Sequence, residues 1–293
     1  VIVIWGLNFV VMKVGLRSVS PMMLGALRFA AASLPFLLFV PRPRLPWPIL
    51  VGYGLAQGLG QFGLLFLAIQ NGMPAGIASV VMQTQAFFTL LLAVPLLGER
   101  AKLHQWAGLA LAASGLAAIG SAHGEGPQQM TLIGFLLTLG AALMWATSNL
   151  VIRVAGREAR PYDPFAFIVW TSSVPVLPFL ALSLWLDGAS AIAGMAAGFT
   201  WREAGAVAYL AWLATLLAYT LWTRLLKRHP THRVAPFSML VPVVGLWAAW
   251  AAFAERLGPL QWWGTAAVAA GLLVNQLGGL WLRSQPPAPV VGS

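Results

Sequence analysis

Three polar side chains recur at every fourth position of the stretch YGLAQGLGQ: Tyr53, Gln57 and Gln61. On a helix that spacing stacks them on one face, with Gly54 and Gly58 one step round allowing a neighbouring helix to come close. The surrounding run is apolar and long enough to cross about 30 Å of hydrocarbon. A phenol and two amides facing lipid would lose their hydrogen bonds, so this face turns inward. It serves either as a cavity wall offering donors and acceptors to a ligand, or as hydrogen-bonding glue between helices. Ser79 and Gln83 repeat the spacing and carry the same two readings. Tyr209, Trp212, Leu216, Tyr219 and Thr223 follow helical spacing farther on. Such rings stack on a planar ligand or hold a cation over a face, or simply pack. Trp212 and Tyr219 are the ligand candidates here; Trp222 lies off the face of Trp212, so at most one of these two tryptophans shares the lining. Trp145 and Asn149, one turn apart, and Trp5 either gate or line such a cavity or serve in the interfacial belt or in packing.

Arg28 is the deepest clear cation, about seven residues or ~10 Å inside its apolar run. It either snorkels to the interface or pairs with a substrate carboxylate, which suits an amino acid and repels a dication. Lys13 and Arg153 sit nearer span ends and read as anchors. The seven acidic residues, Glu99, Glu125, Glu158, Asp163, Asp187, Glu203 and Glu255, all fall at connections or span ends. None is placed as a midplane proton relay, so any solute movement is expected to run without proton coupling, by facilitated diffusion or exchange. His229 and His232 flank a proline, and His104 and His123 are isolated, so no metal site is expected. GLGQFG at 58–63 is formally a GxGxxG, but it lies inside an apolar run with no preceding strand. No HExxH, P-loop or GxSxG is present, so neither a cofactor nor enzyme chemistry is expected.

The elements that position these residues are long apolar helices. Of 293 residues, 59% are hydrophobic and 8% charged, against about a quarter charged in a soluble domain. Apolar runs fall at about 1–16, 21–40, 48–70, 74–97, 103–121, 131–154, 163–186, 203–227, 231–253 and 259–282, separated by Pro- and Gly-containing breaks. The fold class is therefore an all-α integral membrane protein with ten transmembrane helices. Residues 283–293 read as a disordered tail, and the start at Val1 leads us to expect a few preceding residues. The net charge of +10 does not point to nucleic acid, because the basic residues sit in short connections between spans. One side holds twelve Lys and Arg, the other Lys13, Arg17, Arg202 and Arg256. The positive-inside bias places both termini in the cytoplasm of a plasma membrane. Trp47, Trp106, Trp185, Trp201, Trp262, Trp263 and Trp281, near span ends, read as an interfacial belt. The absence of cysteine excludes disulfides.

The chain also repeats itself. ERAKLHQWAGLALAASG from Glu99 lies over ERLGPLQWWGTAAVAAG from Glu255 at a shift of 156, with eight of seventeen positions identical. IWGLNFVVMKVG lies over MWATSNLVIRVA at a shift of 140, pairing Trp5 with Trp145 and Lys13 with Arg153, and Pro74 lies over Pro230 on the 156 shift. The longer 187–202 connection absorbs the difference. Two repeats of five spans, 1–121 and 131–282, must enter the membrane in opposite senses, because five is odd. Inverted repeats can exchange conformations and place a substrate site at the midplane between them. Gly108, Gly115, Gly264 and Gly271 allow close helix contacts within one chain or between two, which leaves a homodimer open.

WGLNFVVMK, GALRFAAA and LGER…QWAGLALAASG, on this 5+5 pattern, resemble the EamA type of the drug/metabolite transporter superfamily. Over residues 1–282 the chain is most similar to YddG-type exporters of aromatic amino acids and methyl viologen. The resemblance implies secondary export of aromatic and other bulky neutral amino acids across an inner membrane. Another metabolite or a cationic drug, such as methyl viologen, a purine or a nucleotide sugar, is the alternative. One departure is that Ile168 stands opposite Arg28 in the second repeat.

Overall fold

A computed structural model describes residues 1–124, 129–158, 162–229 and 234–283. The expected disordered tail therefore lies outside the described residues from 284 onward, as do His232 and Pro230. The described residues form helices and connections, with no strand among them. In chain order the helices are α1 Ile2–Gly15, α2 Pro21–Leu37, α3 Trp47–Gln70, α4 Ala75–Leu97, α5 Leu103–Ser121, α6 Leu132–Glu158, α7 Pro164–Leu186, α8 Gly188–Ala197, α9 Trp201–Leu226, α10 Phe237–Phe253 and α11 Pro259–Arg283. Five of them, α3, α4, α7, α9 and the Leu132–Val154 part of α6, are long and apolar enough to cross a membrane. Helix α8 was not expected. It occupies the 187–202 stretch read as a connection and buries none of its residues. Asp187 at its start accepts hydrogen bonds from Ser20 and Ser183, which tie it to α2 and α7.

Local chemistry sets the helix starts. Ser20 accepts from the Met23 amide ahead of Pro21, and Asp163 accepts from the Ala166 amide ahead of Pro164. Both are N-caps followed by a proline whose missing N–H costs nothing at that position. Thr200 and Glu203 form a capping box at the start of α9.

Two irregularities recur at matching places in the sequence repeat. Gly54–Phe62 within α3 and Tyr209–Leu217 within α9 are π-helical, a wide winding seen mostly at functional sites. Met82–Thr84 within α4 and Ala235–Leu240, leading into α10, are 3₁₀. On the 156 shift the members of each pair coincide to within a few residues.

The repeated ER…QW…G segments become α5 and α11, which pack along each other. A Cβ on Gly108 would lie 2.6 Å from the Gly271 carbonyl oxygen, and one on Gly271 would lie 2.5 Å from that of Gly108. Gly115 and Gly264 meet in the same way at 2.6 Å. These four glycines thus serve a helix crossing inside the chain. Among the glycines of α3, Gly60 faces Met144 of α6, while Gly54 and Gly58 serve α7, Gly54 facing the Thr171 carbonyl and Gly58 facing Pro175, where α7 is broken. A proline there removes one backbone donor and clashes with the preceding turn.

Candidate functional site

The π-helical stretch of α3 carries the polar stack inward. Tyr53, Gln57 and Gln61 line one cavity of about 690 Å³, together with Trp5, Asn8, Arg28, Gln83, Gln85, Trp145, Asn149, Tyr219 and Trp222. Helix α2 contributes the cation. Arg28 is 0% exposed, so it does not snorkel. Its Nε donates to Thr215 Oγ1 at 3.0 Å, and its guanidinium lies 3.8 Å from the Phe62 ring centroid. Its Nη1 is buried without a hydrogen-bond partner. Burying a charge costs several kcal/mol unless partners compensate, and a hydroxyl with an aromatic face compensates in part. Ile168, the position opposite Arg28 in the repeat, lines the same cavity, so the charge sits on one side only.

Amides and rings complete the wall. Ser148 donates to Gln57 Oε1 at 3.0 Å, and Gln57 and Gln61 reach the Tyr219 hydroxyl. The Oε1 of Gln61 and the Oδ1 of Asn8 are buried acceptors without a partner. Trp5 donates its indole N–H to the Ala214 carbonyl at 3.2 Å, and its ring lies 5.0 Å from Tyr219 and 5.4 Å from Trp222. Asn149 donates to Gln85 Oε1 at 2.8 Å and to Thr89 at 3.3 Å, bridging α6 and α4. Gln83 donates to the Ser238 carbonyl at 2.9 Å, joining the two 3₁₀ segments. At one end the cavity reaches Glu99, Arg153 and Tyr162, whose phenol is pushed above its usual range by partial burial.

Nine of the eleven residues singled out from sequence meet in this cavity: Trp5, Arg28, Tyr53, Gln57, Gln61, Gln83, Trp145, Asn149 and Tyr219. Ser79 and Trp212 do not. Ser79 is fully buried, donates to the Gly76 carbonyl and packs against Gly245. Trp212 is 51% exposed and donates to the Ala31 carbonyl on the outer surface. In both cases the assumed α-helical register fails. The 3₁₀ turn at Met82–Thr84 overwinds the chain between Ser79 and the cavity-facing Gln85. The π stretch underwinds it between Trp212 and Tyr219. Of Trp212 and Trp222, it is Trp222 that lines the cavity; Asn8, Gln85 and Thr89 were missed, although Gln85 and Thr89 show the same four-residue spacing as the α3 stack. Among the described residues no cluster of His, Asp and Glu could hold a metal ion.

The chain matches the EamA-like transporter family over residues 1–121 and 132–276. It belongs to that family. This places it among transporters rather than enzymes. It is 42% identical over 285 residues to an Escherichia coli protein named "Probable amino-acid metabolite efflux pump", with 97% of this chain and 95% of the relative covered. It is 28% identical to a "Probable terminal-alkyne amino-acid exporter" of Streptantibioticus cattleyicolor, covering 98% and 95%. An "Uncharacterized inner membrane transporter YedA" of Escherichia coli is 26% identical over 99% of this chain and 92% of its own length. A solved crystal structure superposes with a TM-score of 0.61 at 20% identity over 94% of each chain, which is a likeness of fold.

Proposed function

We propose that this EamA-type transporter exports amino-acid metabolites from the cytoplasm across an inner membrane, by alternating access between two inverted five-helix repeats. Ten spans, 1–121 and 131–282 in opposite senses, with both termini cytoplasmic, are the topology of that reading. The observation that carries the substrate assignment is Arg28. It is a fully buried guanidinium in the cavity with one nitrogen unpartnered, and the cavity's acidic residue, Glu99, is held by Arg153 at its end. Such a cation is complementary to a carboxylate, which it can grip by charge-assisted hydrogen bonds. The same charge disfavours a dication such as methyl viologen. The Trp5, Tyr219 and Trp222 rings offer faces to an aromatic or bulky neutral side chain. The efflux and exporter names of the relatives support amino-acid-like cargo.

The cavity reaches Glu99 and Arg153, which the charge bias puts on the cytoplasmic side, as export requires. No acidic residue stands deep in the cavity among the described residues, which supports facilitated diffusion or exchange. The test is uptake of labelled phenylalanine, tryptophan and alanine into proteoliposomes, each with and without an imposed proton gradient. Saturable uptake, favouring the aromatic substrates and indifferent to the gradient, is expected. Uptake of none of the three by protein shown to be folded would remove the amino-acid assignment, and a flux driven by the proton gradient alone would remove the uncoupled mechanism.

A further inference from the structure

Two ion pairs are related by the sequence repeat. Lys13 Nζ lies 2.7 Å from Glu255 Oε1, and Arg153 Nη1 lies 3.0 Å from Glu99 Oε2. Lys13 and Arg153 are repeat equivalents on the 140 shift, and Glu99 and Glu255 on the 156 shift. Each pair joins a base of one half to an acid of the other, so the two bridges are the same contact made reciprocally. Their surroundings differ. Glu255 is 7% exposed and also accepts from the backbone amides of Ala75 at 3.1 Å and Gly76 at 2.9 Å, at the start of α4. Glu99 is 43% exposed and Arg153 47% exposed, at the end of the cavity. Thus Glu255 is buried and ties the end of α10 to the start of α4, while its equivalent Glu99 is half-exposed at the end of the cavity.

We propose that Glu255 and Glu99 are reciprocal end-latches: Glu255, positioned by Lys13, seals the end opposite the opening, and Glu99, positioned by Arg153, seals the other end in the opposite state. The proposal rests on the alternating-access reading and on no particular substrate. In this state the buried, multiply hydrogen-bonded carboxylate favours closure at its own end, and exchange of the two environments accompanies exchange of the two conformations. Removing one latch changes the relative free energy of the two states and hence their populations.

The chain has no cysteine, so a single Ala86→Cys in the cavity reports access without background. Labelling by a membrane-impermeant maleimide is measured from each face of oriented vesicles. The parent is expected to label from the Glu99 face. Glu255→Gln is expected to lower that rate about tenfold and raise the rate from the opposite face, and half-exposed Lys13→Gln is expected to do so more weakly. Adding Glu99→Gln to Glu255→Gln removes the second latch and is expected to return the balance toward the parent, which damage to packing would not do. A folded Glu255→Gln or Lys13→Gln with parental labelling from both faces would overturn the proposal, as would a double variant no closer to the parent than Glu255→Gln. Labelling involves no substrate. A shift in labelling without amino-acid flux would therefore retain the latches and remove the cargo assignment.

Discussion

On the proposed reading, Arg28 is the residue on which recognition turns. Truncating one partner of a buried, hydrogen-bonded charge pair costs about 2–5 kcal/mol, much of it from leaving the other charge unpaired. Arg28→Gln is therefore expected to lower amino-acid flux by about 100-fold or more, a factor worth about 2.8 kcal/mol at 1.4 kcal/mol per decade. Arg28→Lys, which keeps the charge but not the planar fork, is expected to recover part of the loss. Initial rates in proteoliposomes decide both. Trp212→Ala is expected to change those rates little, because its ring lies outside the cavity, whereas Tyr219→Ala is expected to raise the half-saturating concentration. The contrast shows what single residues disclosed in sequence. Tyr53, Gln57 and Gln61 were legible because four-residue spacing keeps one face through either winding. Trp212 and Ser79 were not, because seven- and four-residue spacings were counted across a π and a 3₁₀ segment that nothing in the sequence announces. The depth of Arg28 was visible, but its orientation was decided by Thr215 and Phe62 on other helices.

At the scale of elements, the α5–α11 crossing depends on glycines meeting backbone. A methyl group on Gly271 would stand 2.5 Å from the Gly108 carbonyl and must push the helices apart. Overpacking of this kind costs about 1–3 kcal/mol. Gly271→Ala and Gly115→Ala are expected to lower the melting temperature of the detergent-solubilised protein, while Gly205→Ala, which has open space beside it, is expected not to. Equal melting temperatures for all three would contradict the packing account. These glycines were visible from the repeat, but whether they joined helices of one chain or two was not, because small-residue spacing carries no address. The α8 helix was missed for a different reason. GASAIAGMAAG is short and buries nothing, so no apolar period distinguishes it from a connection.

The whole molecule carries its logic in pairs. The two π segments, the two 3₁₀ segments, the two glycine contacts and the two ion pairs each fall at equivalent positions of a sequence repeated at shifts of 140 and 156. The repeat itself was legible from seventeen residues, because a helix crossing needs glycine at fixed spacing. The reciprocity of the ion pairs was not, since Lys13 and Arg153 read as anchors until their partners were placed. On the proposed uncoupled mechanism, chelators or ATP are expected to leave the transport rate unchanged. Counterflow tests the central claim most directly: proteoliposomes loaded with unlabelled phenylalanine, at equal pH on both sides, are given external labelled phenylalanine. Transient accumulation of label above its equilibrium level is expected, inhibited by free phenylalanine but not by phenylalaninamide, which lacks the carboxylate. Absence of accumulation in folded, oriented protein, or equal inhibition by the amide, would contradict carboxylate-selective exchange through this cavity.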